Sequence, residues 1–132
     1  MEAALIYIDA TILEAAALSL TVEGDAARKL LFANPTVATS TLSFYDLLAS
    51  ISKKAGKDQA IWMCEKYASL PNLSILQSSR HVALQAIENY KSTTLTPGKA
   101  MHLAYMQVNG INQIASLDSD FDKVKRIKRV KL

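Results

Sequence analysis

The chain has 132 residues, of which half are hydrophobic, a fifth are charged and 7% are aromatic. This length and composition predict one compact domain over residues 1–132, and they exclude a collagen-like polymer, a low-complexity chain and an intrinsically disordered chain. Cys64 is the only cysteine, so an intramolecular disulfide and a cysteine metal cluster are excluded. A reducing cytoplasm is therefore the expected location.

The formal net charge of +3 conceals an asymmetry along the chain. Residues 1–122 carry twelve acidic and nine basic side chains, whereas residues 123–132, called here the basic segment, carry six basic side chains and no acidic one. Such a segment can bind nucleic-acid phosphates, although the same charges also serve as an ordinary solvated surface. Charge alone favours the second interpretation.

Hydrophobic periodicity predicts alternating strands and helices in chain order. Short apolar runs predict strands at 3–8, 36–40, 72–76, 111–117 and within 127–130. Helical spacing and capping residues predict helices at 11–20, 24–34, 44–56, 58–70, 79–91 and 97–110, and a polar turn at 118–122. This order predicts a three-layer α/β/α sandwich with a central parallel sheet of four to five strands.

Apolar stretches of the sequence are interrupted too often to act as membrane or export signals. Glu2, Asp9 and Glu14 break the apolar first twenty residues, which no basic stretch precedes, so we expect no signal peptide. The longest uncharged run, 100–117, contains His, Asn and Gln side chains, and we therefore expect no membrane span.

Acidic residues follow the predicted strands at one edge of the sheet. Asp9 comes directly after the first strand, Asp118 follows the strand at 111–117, and Asp46 is placed in the first turn of the helix after the second strand. Ligands of open parallel sheets bind beyond the carboxyl ends of the strands, where the strand order reverses. Gathered carboxylates repel one another unless a cation holds them, and oxygen ligands suit Mg²⁺ or Mn²⁺.

Four stretches of the sequence carry a family resemblance: YIDATIL at 7–13, STLSFYDLLA at 40–49, LTPGKAMHLAYMQVNG at 95–110 and IASLDSDFDKVKRIKRV at 114–130. In order and spacing they resemble the four acidic motifs of PIN domains, in particular those of the VapC-like ribonuclease toxins. The resemblance implies an endoribonuclease that uses Mg²⁺ or Mn²⁺ to hydrolyse RNA phosphodiester bonds. It also implies a homodimer and a partner antitoxin protein.

The resemblance assigns roles to four acidic residues and exposes one departure. Asp9, Asp46 and Asp118 match acidic catalytic positions, and Asp9, Asp118 and Asp120 are the expected metal ligands. The family's third acidic position is occupied by Lys99.

Lys99 leaves two functions open. In the first, one metal ion still binds through the acids and the ammonium of Lys99 stabilises phosphate charge, as a fixed cation would. In the second, Lys99 locks the site through salt bridges, and the chain is a degenerate PIN domain that binds RNA or a protein partner. The retention of three acids places the enzyme first.

Other side chains receive structural interpretations or stay open. Asp9 taken alone suits a helix cap, but Asp118 in the matching place after another strand puts the metal role first. Asp122 suits a turn or cap, and His81 and His102 are interpreted as structural because neither has metal-ligand spacing. Glu14, on the first helix, is kept as a substitute acid that points either to the cleft or to solvent.

Overall fold

A computed structural model describes residues 5–132 as one α/β unit. Its strands are β1 (Ile6–Ile8), β2 (Val37–Ser40), β3 (Leu73–Leu76), β4 (Gln113–Ala115) and β5 (Lys128–Arg129). Its helices are α1 (Ala10–Leu18), α2 (Val22–Ala33), α3 (Thr41–Ala55), α4 (Lys57–Ala68), α5 (Arg80–Ser92) and α6 (Pro97–Val108), with a 3₁₀ helix at Ser119–Lys123. None of these helices is both long and apolar enough to span a membrane.

The five strands form one parallel sheet in the order β3-β2-β1-β4-β5. The chain first moves outward from β1 through β2 to β3, and it then crosses back to place β4 on the other side of β1. The strand order therefore reverses between β1 and β4, whose register pairs Tyr7 with Ile114 and Ile8 with Ala115. A crevice is expected at the carboxyl ends of these two strands.

Alternate side chains of the central strands fill two separate cores. Ile8 and Val37 pack with residues of α1, α2, α3 and α4 on one face of the sheet. Tyr7 and Ala38 pack with residues of α5 and α6 on the other face. This period of two is the geometry of a strand, and helices on both faces confirm the predicted three-layer sandwich.

Several predicted boundaries are corrected by capping. Helix α3 begins at Thr41 rather than at 44, because the hydroxyl of Ser40 accepts a hydrogen bond from the backbone N–H of Ser43. Asp46 consequently lies in the second turn of α3, not the first. The polar stretch predicted as a turn forms the 3₁₀ helix, which the carboxylate of Asp118 caps. Residues 3–4 of the first predicted strand lie outside the described residues.

Candidate functional site

A cleft of about 320 Å³ opens at the carboxyl edge of the sheet, where the strand order reverses. Its lining includes Asp9 after β1, Asp46 on α3, Lys99 and His102 on α6, and Asp118 after β4. The side chains come from four distant segments of the chain. Their convergence follows from the adjacency of β1, β2 and β4 in the sheet.

Asp9 is the most buried acid of the cleft, with 4% of its surface exposed. Its Oδ1 atom accepts hydrogen bonds from the backbone N–H groups of Thr11 and Ile12, so it caps α1, and from the hydroxyl of Thr11. Its Oδ2 atom accepts a hydrogen bond from the hydroxyl of Ser116 at 2.5 Å. Burial raises the pKa of Asp9, and the hydrogen bonds from Ser116 and Thr11 oppose that rise.

The hydroxyl groups that hold Asp9 also fix the chain beyond β4. Ser116 Oγ accepts the backbone N–H of Asp118 at 3.0 Å, and Thr11 Oγ1 accepts the backbone N–H of Leu117 at 2.9 Å. The position of Asp118 is therefore coupled to that of Asp9 through two hydroxyl groups. A capping role and a place in the cleft coexist at Asp9.

Lys99 lies between two acids. Its Nζ atom is 2.7 Å from Asp118 Oδ2 and 2.6 Å from Asp120 Oδ2, and its side chain is 23% exposed. Hydrogen bonds to Asp118 and Asp120 raise the pKa of Lys99, and the hydrogen bond from Lys99 lowers the pKa of Asp120. The backbone N–H of Lys99 donates to Thr96 Oγ1, which caps α6 as the sequence predicts.

Asp46 is held by a buried polar chain. His102 Nε2 lies 3.0 Å from Asp46 Oδ2, and His102 Nδ1 lies 2.6 Å from the hydroxyl of Tyr7. The Tyr7 hydroxyl is also 2.6 Å from Ser40 Oγ. His102 is thus a structural residue, as the sequence suggests, but one that contacts a candidate catalytic acid.

Glu14 lies at the rim rather than among the other acids. Its carboxylate accepts hydrogen bonds from the hydroxyl of Ser50 and, at 3.0 Å, from Lys54 Nζ. Glu14 lines both this cleft and an adjoining one of about 580 Å³, and Asp118 is also shared by the two clefts. The two openings are therefore contiguous and extend from the carboxyl edge along α1.

Asp122 has a structural partner in the basic segment. The guanidinium of Arg129 donates to both Asp122 carboxylate oxygens at 3.0 Å and to the Ser116 carbonyl at 3.1 Å. The hydrogen bond from Arg129 lowers the pKa of Asp122. The other basic side chains of this segment, Lys123, Lys125, Arg126, Lys128 and Lys131, are exposed.

The cleft contains the types of ligand that a divalent cation prefers, but these ligands are not arranged around one position. Its carboxylate oxygens are the ligands that Mg²⁺ and Mn²⁺ prefer. Among residues 5–132, however, no three His, Cys, Asp or Glu side chains are grouped so that they hold one ion. Instead, a lysine ammonium bridges two of the acids.

The structure gathers most of the residues that the sequence singles out. Asp9, Asp46, Lys99 and Asp118 share the cleft, and Asp120 joins them through Lys99. Three polar residues that hold these acids, Tyr7, Thr11 and Ser116, are not found by sequence reasoning, which also gives His102 no link to Asp46. Thr11 could have been found from its position two residues after a capping Asp, whereas Ser116 and Tyr7 become visible only once β1 and β4 are paired.

Solved structures share this fold across nearly their whole length. The VapC20 toxin of Mycobacterium tuberculosis, described as cleaving the sarcin–ricin loop, superimposes with a TM-score of 0.80 at 17% identity, over 92% of this chain and 96% of its own. VapBC2 of Rickettsia felis, bound to a promoter DNA fragment, superimposes with a TM-score of 0.73 at 15% identity, over 96% of this chain and 97% of its own. A toxin–antitoxin complex of Klebsiella pneumoniae superimposes with a TM-score of 0.70 at 17% identity, over 96% of each chain.

The sequence itself identifies the family. A comparison with curated proteins found no significant match. The model of the PIN domain family, in contrast, matches residues 6–127, which is most of the chain. The four stretches that suggested this family all lie within or across that range, and the observed fold agrees with it. The protein is a member of the PIN domain family.

Proposed function

We propose that this protein is a ribonuclease of the VapC-like PIN type, which hydrolyses RNA phosphodiester bonds in the acidic cleft. The observation that carries the proposal is the convergence of Asp9, Asp46 and Asp118 in one cleft of a PIN domain. VapC20, which shares the fold, is described as cleaving the sarcin–ricin loop. Nuclease activity and an RNA substrate for this protein are both parts of the proposal.

Asp46 is the acid best placed to exchange a proton with water. Its side chain is 40% exposed, and its Oδ2 atom is fixed by His102. Its Oδ1 atom has no hydrogen-bond partner among the described residues. A positioned carboxylate of this kind can accept the proton of a water molecule that attacks phosphorus. Asp9, with both oxygens engaged by hydroxyl groups, instead fixes the geometry of the cleft.

Dependence on Mg²⁺ or Mn²⁺ is a further part of the proposal. Asp118 and Asp120 would hold the ion once Lys99 is withdrawn, and Asp9 lies in the same cleft as Asp118. When bound, such an ion stabilises the negative charge that develops on the phosphate. Lys99 is a flexible side chain at the surface of the cleft, and Asp118 and Asp120 are 30% and 39% exposed, so this exchange requires no unfolding.

The size of the two clefts and the exposed basic segment suit a polynucleotide. The two adjoining clefts share Asp118 and Glu14, so together they have room for several nucleotides. The exposed lysines of the basic segment provide charges for its phosphates. A cytoplasmic location, a homodimer and an inhibiting antitoxin protein are further proposals. The neighbouring VapBC and toxin–antitoxin complexes support the antitoxin.

Cleavage of single-stranded and structured RNA by the purified protein with Mn²⁺ or Mg²⁺ tests the proposal. Asp9→Asn should reduce the rate by about 100-fold, because it disturbs the hydrogen bonds that fix the geometry of the cleft. Asp58→Asn makes the same chemical change at an exposed position on α4 and should leave the rate unchanged. Equal rates for wild type and Asp9→Asn would reject the cleft as the reaction site.

A second candidate function is supported by the ion pairs of Lys99. With Asp118 and Asp120 already neutralised, the cleft can bind RNA or a protein without catalysing hydrolysis. This function predicts salt-sensitive RNA binding that is unchanged by a chelator of divalent ions. Absence of cleavage by the wild type, together with such binding, would favour it over the nuclease.

A further inference from the structure

The Lys99 ammonium lies between two carboxylates at the carboxyl edge of the sheet, where Asp9, Asp118 and Asp120 form what is called here the acidic edge. It lies 2.7 Å from Asp118 Oδ2 and 2.6 Å from Asp120 Oδ2, two carboxylates that are separated by one residue of the same short helix. Without a cation between them, these like charges would repel each other. Lys99 thus performs for this pair what a bound metal ion performs in an oxygen-ligand site.

The position of Lys99 in α6 is electrostatically unfavourable, so its pairing with Asp118 and Asp120 needs an explanation outside the helix. Lys99 lies in the first turn of α6, where the partial positive charge of the helix N-terminus disfavours a cation. The helix dipole therefore does not stabilise a lysine at this position. The carboxylates of Asp118 and Asp120 do stabilise it.

The remaining carboxylate oxygens of Asp118, Asp120 and Asp9 are also engaged. Asp118 Oδ1 accepts the backbone N–H of Asp120 at 2.9 Å, and Asp120 Oδ1 lies 3.5 Å from Lys123 Nζ. Both oxygens of Asp9 accept hydroxyl hydrogen bonds. A divalent ion bound to Asp118 and Asp120 would consequently compete for Asp118 Oδ2 and Asp120 Oδ2, the two oxygens that Lys99 holds.

We propose that Lys99 is the resident cation of the acidic edge and competes with a divalent metal ion for Asp118 and Asp120. The side chain thereby sets the metal affinity of the cleft: the wild type binds Mn²⁺ weakly, and removal of the ammonium creates a tighter site. This inference rests on the proposed function only in taking the cleft as the reaction site, and it is tested by binding rather than by activity.

Mn²⁺ binding to the full chain, followed by electron paramagnetic resonance of free Mn²⁺ and by titration calorimetry, tests the inference. Lys99→Ala removes the competitor, and Lys99→Asp also adds an oxygen ligand at a helix position that favours negative charge. We expect Mn²⁺ affinity to rise by about tenfold or more in Lys99→Ala and further in Lys99→Asp. Adding Asp118→Asn to either variant should abolish the gain.

Lys123→Ala is the matched control, because Lys123 also faces Asp120 but at 3.5 Å and with a side chain that is 65% exposed. We expect its Mn²⁺ affinity to equal that of the wild type. Circular dichroism and urea unfolding of each variant confirm folding, and Lys99→Ala keeps the test decisive if the additional acid of Lys99→Asp destabilises the edge.

Three results would overturn the inference: equal Mn²⁺ affinity in the wild type and Lys99→Ala, no binding by either Lys99 variant, or an equal gain in Lys123→Ala. None of these results decides the proposed function, since RNA cleavage by the wild type that Asp9→Asn abolishes would still establish a nuclease. Conversely, tighter Mn²⁺ binding by the variants without any RNA cleavage would support the inference and reject the proposed function.

Discussion

Tyr7→Phe removes a single hydroxyl group from beneath the candidate site. Tyr7 is fully buried, and its hydroxyl lies 2.6 Å from both Ser40 Oγ and His102 Nδ1. Ser40 keeps Ser43 as a neighbour, with the two hydroxyl oxygens 3.4 Å apart, whereas His102 Nδ1 loses its partner. The variant therefore leaves one buried ring nitrogen unsatisfied, which costs about 1–3 kcal/mol of unfolding free energy.

The expected loss converts into a measurable shift in melting temperature. An unfolding entropy of roughly 2.1 cal/mol/K per residue gives about 0.28 kcal/mol/K for a chain of this length, so a loss of about 2 kcal/mol lowers the Tm by roughly 7 °C. Urea unfolding and thermal unfolding, each followed by circular dichroism, measure the two quantities independently.

Two other tyrosines provide controls for the same chemical change. Tyr67 is buried and donates one hydrogen bond to the Leu13 carbonyl at 2.8 Å, so Tyr67→Phe should cost about 1 kcal/mol. Tyr45 is 70% exposed, and Tyr45→Phe should change stability by less than about 0.5 kcal/mol. A Tyr7→Phe protein as stable as Tyr45→Phe would refute the buried polar chain that holds Asp46.

Three further predictions concern the buried acid, the glycines and the basic segment. Because burial raises the pKa of Asp9 above 3.8, its charge destabilises the folded state at neutral pH. The stability of the wild type relative to Asp9→Asn should therefore be lowest near pH 7 and should rise in urea unfolding as the pH falls through the raised pKa toward 3.8. A pH-independent difference between the two proteins would contradict this. Gly24→Ala would place its Cβ 2.2 Å from a backbone oxygen and should lower the unfolding free energy by about 1–3 kcal/mol. Gly98→Ala meets open space and should leave the unfolding free energy unchanged or raise it by up to about 1 kcal/mol. Similar melting temperatures for the two variants would show that the close approach at Gly24 is absent. Replacing Lys125 and Lys128 with Ala should make the slope of log affinity for single-stranded RNA against log salt shallower by about 1.4, and an unchanged slope would exclude the basic segment from phosphate binding.

Local sequence signals were sufficient to predict the layers of the fold. The apolar run ending at Ile8 is confirmed as a central strand, and Thr96 and Pro97 are confirmed as the start of α6. Both signals depend on neighbouring residues alone. The start of α3 was predicted three residues late because Ser40, which ends β2, also caps the helix that follows.

The acids of the site were predictable from their positions after strands, and the family resemblance placed Lys99 among them, but the hydroxyl groups and the histidine that hold the acids were not predictable. Asp9 and Asp118 follow β1 and β4, and the carboxyl ends of adjacent parallel strands meet at one edge. That Lys99 binds Asp118 and Asp120, and that His102 binds Asp46, depends on how α6 packs against the sheet and α3. No spacing along the chain encodes contacts between residues 56 positions apart, as in the pair His102 and Asp46.

The Mn²⁺ dependence of RNA cleavage tests most directly whether the acidic cleft is a nuclease site that Lys99 controls. The wild type should need about tenfold or more Mn²⁺ than Lys99→Asp for half-maximal cleavage, and Asp9→Asn should abolish cleavage in both backgrounds. Superimposable Mn²⁺ curves for the wild type and Lys99→Asp, or cleavage that survives Asp9→Asn, would contradict this prediction.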